Sequence, residues 1–237
     1  MRPSKQDFFN QYRENTIIEI VQDIAKSKAG ARIAFKGGTA LKLFFDLPRY
    51  FEDIAYDCLP GVSAQELMKT IRDLFEKRRW EITDKAIKYF TILLELRFPG
   101  PERHFRVKIE ISTRKKEVET TILSFRGVPI LILEPSFLMT EKLLTFVDRQ
   151  AGRDIFEAWF ILEHGYPLKE SLIKKTFAGY KKLYQAMLNI LEKANTKKIL
   201  RDTGKLLGED HRNWIRTSFL PDFAQLIRDK ISSLQSS

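Results

Sequence analysis

The strongest constraint on the fold is a change of period part-way along the chain. Up to Leu133, apolar residues come in short runs, several alternating with polar ones as in half-buried strands. From Ser136 onward nearly all of the chain follows helical spacing. This predicts an α+β domain over residues 1–133 and an all-α domain over residues 134–237. With 237 residues, 43% of them hydrophobic, the chain has enough apolar material for a sizeable core.

Within the first part, Ser4 to Lys28 reads as a helix, with Ile17, Ile20, Val21 and Ile24 on one side. A short strand from Ala31 to Lys36 runs into Gly37-Gly38, and Thr39 to Phe45 resumes helical spacing until Pro48 stops it. Tyr50 to Cys58 reads as a strand with Phe51, Asp53, Ala55 and Asp57 on one face. An amphipathic helix is predicted from Ser63 to Arg79, and strands at Tyr89 to Phe98, His104 to Ser112 and Val128 to Leu133.

Composition excludes several classes. The single cysteine, Cys58, allows no intrachain disulfide framework, and with three histidines it forms no zinc-ligand spacing. No apolar run approaches the roughly 18 residues that a membrane span requires, and the first residues have no apolar signal core. The cytoplasm is the expected location. A formal net charge of +10 favours polyanionic partners such as nucleic acid or nucleotide phosphates. A plain basic surface would give the same number.

The stretch FKGGTALKLFFDLPRYFEDIAYD carries the chemistry. A glycine pair between strand and helix lets backbone amides approach a phosphate without a Cβ in the way, and the helix start adds partial positive charge. Asp53, on the next strand, could hold Mg²⁺ against the same triphosphate. A glycine pair alone usually marks only a turn, and the Walker pattern is absent.

These motifs resemble the abortive-infection (AbiEii/AbiGii) nucleotidyltransferase family, toxins of bacterial type IV toxin–antitoxin pairs. Its first motif matches Gly37-Gly38-Thr39-Ala40-Leu41 followed by Arg49-Tyr50-Phe51-Glu52-Asp53-Ile54-Ala55. Its later motifs match Glu141-Lys142-Leu143, Arg149 and Arg153-Asp154-Ile155-Phe156, with a similar tail from Leu207 to Trp214. The resemblance implies a polymerase-β-like nucleotidyltransferase domain with a mixed sheet, followed by an all-α C-terminal domain. It also implies an NTP substrate with Mg²⁺, a cognate antitoxin protein and, as in some relatives, transfer to tRNA.

Two positions depart from the family pattern: Phe51 stands where it has serine, and Ala55 where it has the second aspartate. Two-metal transfer uses carboxylates two residues apart on a strand, because same-face neighbours lie about 6–7 Å apart and clamp adjacent ions. Asp57 shares the face but sits about 13 Å from Asp53, too far to substitute. Little or no transferase activity is therefore expected of this chain. An engineered Asp-to-Ala change and a natural loss of the group both explain the alanine.

Glu110, on the cleanest strand, is the candidate third carboxylate, or else a solvated glutamate between Lys108 and Ser112. Lys142 falls on an apolar stripe with Leu138, Met139 and Phe146, where an ammonium needs a partner or a route to solvent. The resemblance gives it nucleotide binding; Arg149, seven residues further on, would extend the same basic wall, and Gly37, Gly38 and Thr39 are the other candidate nucleotide-binding residues. It makes Asp154 an active-site group, whereas an aspartate in a helix's first turn also suits the helix dipole. Lysines from Lys174 to Lys205, with Tyr180 and Tyr184 interleaved, offer a surface that could follow a phosphate backbone. An ordinary solvated face reads the same way. Three functions follow: a tRNA-directed transferase, a catalytically dead RNA-binding or regulatory protein on the same fold, and a small-molecule nucleotidyltransferase. The last would want an acidic acceptor pocket.

Overall fold

The computed structural model describes residues 4–114 and 118–235. They divide into two compact units, one drawn from residues 4–46, 50–114 and 118–134, the other from residues 47–49 and 135–235.

The first unit is built on a seven-stranded mixed sheet, ordered β3-β4-β5-β2-β1-β7-β6. Its strands are β1 (Ile33–Lys36), β2 (Asp53–Cys58), β3 (Glu81–Lys88), β4 (Thr91–Phe98), β5 (Phe105–Ser112), β6 (Thr120–Phe125) and β7 (Val128–Leu133). In the middle of the sheet β2 runs antiparallel to β1 and parallel to β5, while β1 runs parallel to β7. Three helices belong to this unit: α1 (Lys5–Lys26), α2 (Gly37–Phe45) and α3 (Ala64–Lys77). Ser4 caps α1 in a reciprocal box with Asp7, and Ile20, Val21 and Ile24 on its apolar stripe are fully buried.

Alternation on the central strands separates core from chemistry. Phe35, Ile54, Tyr56, Ile109 and Ile111 are buried on one face. On the other face the register sets Asp53 beside Lys108 and Ala55 beside Glu110. Burying one set fixes the register, since a slip of one residue would exchange the two faces.

Two strands, β3 and β6, were absent from the sequence expectation. Both pair on one side only, and both are largely exposed or half-buried, so their apolar pattern is weak. Phe51 is a core residue at 9% exposure just before β2, where the family pattern has a serine.

The second unit is helical: α4 (Pro135–Arg149), α5 (Gly152–Glu163), α6 (Glu170–Phe177), α7 (Tyr180–Leu191), α8 (Thr196–Thr203), α9 (Glu209–Thr217) and α10 (Phe219–Ser233). Phe146, Phe156, Phe160, Phe219 and Phe223 fill its core. Gly152 lets α5 approach α8, because a Cβ there would lie 2.7 Å from the Ile199 Cα, and Asp202 accepts the Gly152 N–H at 2.8 Å. The Leu207–Trp214 stretch packs this unit: Arg212 donates to the Leu207 carbonyl at 2.6 Å, and the Trp214 and Trp159 rings meet at 4.6 Å. Tyr184, expected among the surface lysines, is 7% exposed and belongs to the core instead. No helix among the described residues is long and apolar enough to cross a membrane.

Candidate active site

In the sheet unit the glycine turn and the aspartate strand lie side by side. Antiparallel pairing of β1 with β2 sets Lys36 opposite Ala55, so the chain leaves β1 through Gly37 alongside the start of β2. Gly37 has φ +82°, a conformation that L side chains rarely adopt. A Cβ on it would also stand 3.1 Å from the Ala55 Cβ, so turn and strand are in close approach. Lys36, the N-cap of α2, makes no side-chain cap to the helix, and Gly37 and Gly38 are half-buried. The Thr39 hydroxyl donates to the Asp53 carbonyl, which fixes α2 against β2.

Asp53 itself is exposed. Glu110 is half-buried on the neighbouring strand, in register with Ala55, and Lys108 reaches it at 2.5 Å. That hydrogen bond, with the charges of Glu110, Asp53 and Glu95, raises the Lys108 pKa against the opposing effect of burial. Asp57, further along the same face, is buried and paired with Lys36 at 2.5 Å, a structural ion pair. An open cleft of about 420 Å³ adjoins Asp53, with Arg13, Glu52, Glu95, Arg103 and Lys108 among its lining. Arg13, deep in this cleft, is bound to Glu52.

Two carboxylates, Asp53 and Glu110, thus flank position 55, which has none. Among the described residues no group of three or more His, Cys, Asp or Glu side chains is placed to hold a metal ion. Asp53 and Glu110 alone do not fit a two-metal clamp, which takes a further carboxylate beside them.

In the helical unit Lys142 and Asp154 also come together. Lys142 donates to Glu157 at 2.6 Å, and Arg49, from the short stretch 47–49 assigned to this unit, reaches the other oxygen of Glu157 at 2.5 Å. Burial works to raise the Glu157 pKa, but the charges of Lys142 and Arg49 and their hydrogen bonds outweigh it and hold it at about 2. Sequence reasoning missed Glu157. Its spacing from Asp154, one helical turn on α5, was the available signal.

Asp154 is 3% exposed, and its Oδ2 has no hydrogen-bond partner among the described residues. Burial, then the neighbouring Glu157, raise its pKa, with Lys142, Arg149 and Arg153 opposing. A buried carboxylate oxygen without a partner costs stability, and groups of this kind concentrate at functional sites.

The mixed sheet with its strand–glycine–helix turn and Asp53 defines a nucleotidyltransferase fold, and solved structures agree. JHP933 from Helicobacter pylori matches with a TM-score of 0.60 at 19% identity, covering 99% of this chain and 97% of that one. A candidate nucleotidyltransferase from H. pylori matches with a TM-score of 0.59 at 20% identity, covering 98% and 99%. A comparison with curated proteins gives no match. The family model "Nucleotidyl transferase AbiEii toxin, Type IV TA system" matches residues 19–229. The chain belongs to that family.

Proposed function

We propose that this chain is built to transfer a nucleotide from an NTP to an RNA acceptor, namely tRNA, and that Ala55 leaves it with little or no transferase activity. The observation that carries this reading is the single sheet face on which the Gly37 turn, Asp53, Ala55 and Glu110 meet. Amides of Gly37 and Gly38 would cradle the triphosphate, with Thr39 fixing their helix against the strand. A carboxylate at position 55 would lie against that turn, level with Glu110. Mg²⁺ is the metal expected of that completed set.

In the completed site the acceptor hydroxyl oxygen would attack the α-phosphorus in line. The bond to the pyrophosphate leaving group would break, and Glu110 would take the hydroxyl proton once Lys108 releases it. In this reading Lys142 and Arg149 would bind the nucleotide and Asp154 would be an active-site group. The raised pKa of Asp154 fits a group that handles a proton. A cognate antitoxin as partner and the cytoplasm as location belong to the same reading.

A second reading has its own support. Phe51 is accommodated in the core, so at least one departure from the family pattern is built into the fold. That suits a catalytically silent protein that binds RNA or regulates. The Ala55→Asp variant, incubated with each labelled NTP and total tRNA, separates the two. Label in RNA supports the transferase, and binding without turnover supports the silent protein.

A further inference from the structure

The β3–β4 hairpin ends in an unusual surface. Tyr89 is 89% exposed, Phe90 45% and Ile87 44%, on a connection held to the end of β5 by the Thr113 N–H donating to the Phe90 carbonyl at 2.9 Å. The two rings meet edge to face with centroids 4.3 Å apart, which leaves the Tyr89 ring directed to solvent. Arg114 lies over Phe90, its Cζ 5.6 Å from the ring centroid. Residues 85–91 contain Lys85 and Lys88, both exposed, and no acid.

Nothing in the nucleotide site requires this arrangement. Exposed aromatic rings flanked by cations form the surface on which unpaired bases stack while their phosphates meet lysine and arginine. We infer that the hairpin tip is a stacking platform for single-stranded RNA. The inference rests on the RNA-acceptor reading and adds to it a docking point remote from the nucleotide turn.

Sheet register supports a path between the two. Lys88, Thr91, Ser112 and Asp57 stand in one row across β3, β4, β5 and β2, and Asp84, Glu95, Lys108 and Asp53 form a parallel row on the same face. At strand spacings of about 4.8 Å and a rise of about 3.3 Å per residue, the tip lies roughly 20 Å from Asp53. A few nucleotides of extended strand span that distance.

The test uses the full chain, a fluorescently labelled single-stranded RNA oligonucleotide and total tRNA. Tyr89→Ala with Phe90→Ala should weaken oligonucleotide binding by at least about tenfold, since each stacked base contributes substantially. Binding of a fluorescent NTP analogue should not change. In a second variant, Tyr89→Trp, the added indole should lose fluorescence when the oligonucleotide binds. Unchanged RNA affinity of the double variant, with no quenching at Trp, would overturn the platform while leaving the RNA reading intact. If the wild-type chain bound no RNA at all, both would fall. Loss of a protein partner with RNA binding intact would assign the tip to protein contact and overturn the inference as well.

Discussion

Glu157 and Asp154 show how opposite electrostatic outcomes arise one helical turn apart. Glu157 is buried but held by two cations, so its folded pKa of about 2 lies below the ordinary 4.5. Its contribution to stability is therefore complete above about 4.5 and is lost as pH falls toward about 2. Glu157→Gln should leave Lys142 and Arg49 without their carboxylate and destabilise the chain by about 3 kcal/mol at neutral pH, measured by urea unfolding. Asp154 has the reverse sign. Its raised pKa means that the ionised form weakens the fold at neutral pH, and that this loss disappears as pH falls through the folded value. Asp154→Asn should raise Tm by a few degrees, and a lowered Tm would mean that the carboxylate is satisfied in solution.

At the scale of elements, the glycine turn couples β1, α2 and β2. Gly37→Ala forces a side chain into φ +82° and brings its Cβ to 3.1 Å from Ala55, so a loss of about 1–3 kcal/mol is expected by chemical denaturation. Gly38→Ala, on the same turn, is the comparison that separates backbone strain from loss of helix contacts.

The buried strands of this region were legible because alternation on β5 is clean, and because Gly37-Gly38 punctuates the change from strand to helix. The edge strands β3 and β6 were not, since a strand that buries little needs little apolar pattern. Lys142 was legible as a charge on an apolar stripe, but not its partner. Glu157 lies 15 residues away on another helix, a contact that no local period encodes. Thr39, a candidate nucleotide-binding residue, also holds strand and helix together through the Asp53 carbonyl. Backbone acceptors of this kind leave no trace in side-chain patterns.

For the whole molecule, the surplus of +10 charges governs encounters with polyanions. Exposed lysines on α6, α7 and α8, among them Lys175, Lys181, Lys182, Lys197 and Lys198, present this charge without base-reading chemistry. Binding of tRNA should therefore weaken linearly in log–log terms as salt rises, with little dependence on tRNA sequence. Strong discrimination among tRNAs at fixed salt would instead point to direct base contacts.

The proposed function turns on position 55, where alanine stands between Asp53 and Glu110. The direct measurement is incorporation of labelled nucleotide into tRNA by the chain as it stands, by Ala55→Asp, and by Ala55→Asp combined with Asp53→Asn, each with Mg²⁺. Label should enter tRNA with the single variant and stay at background with the other two. Equal labelling by the unaltered chain, or none from folded Ala55→Asp protein, would contradict the account.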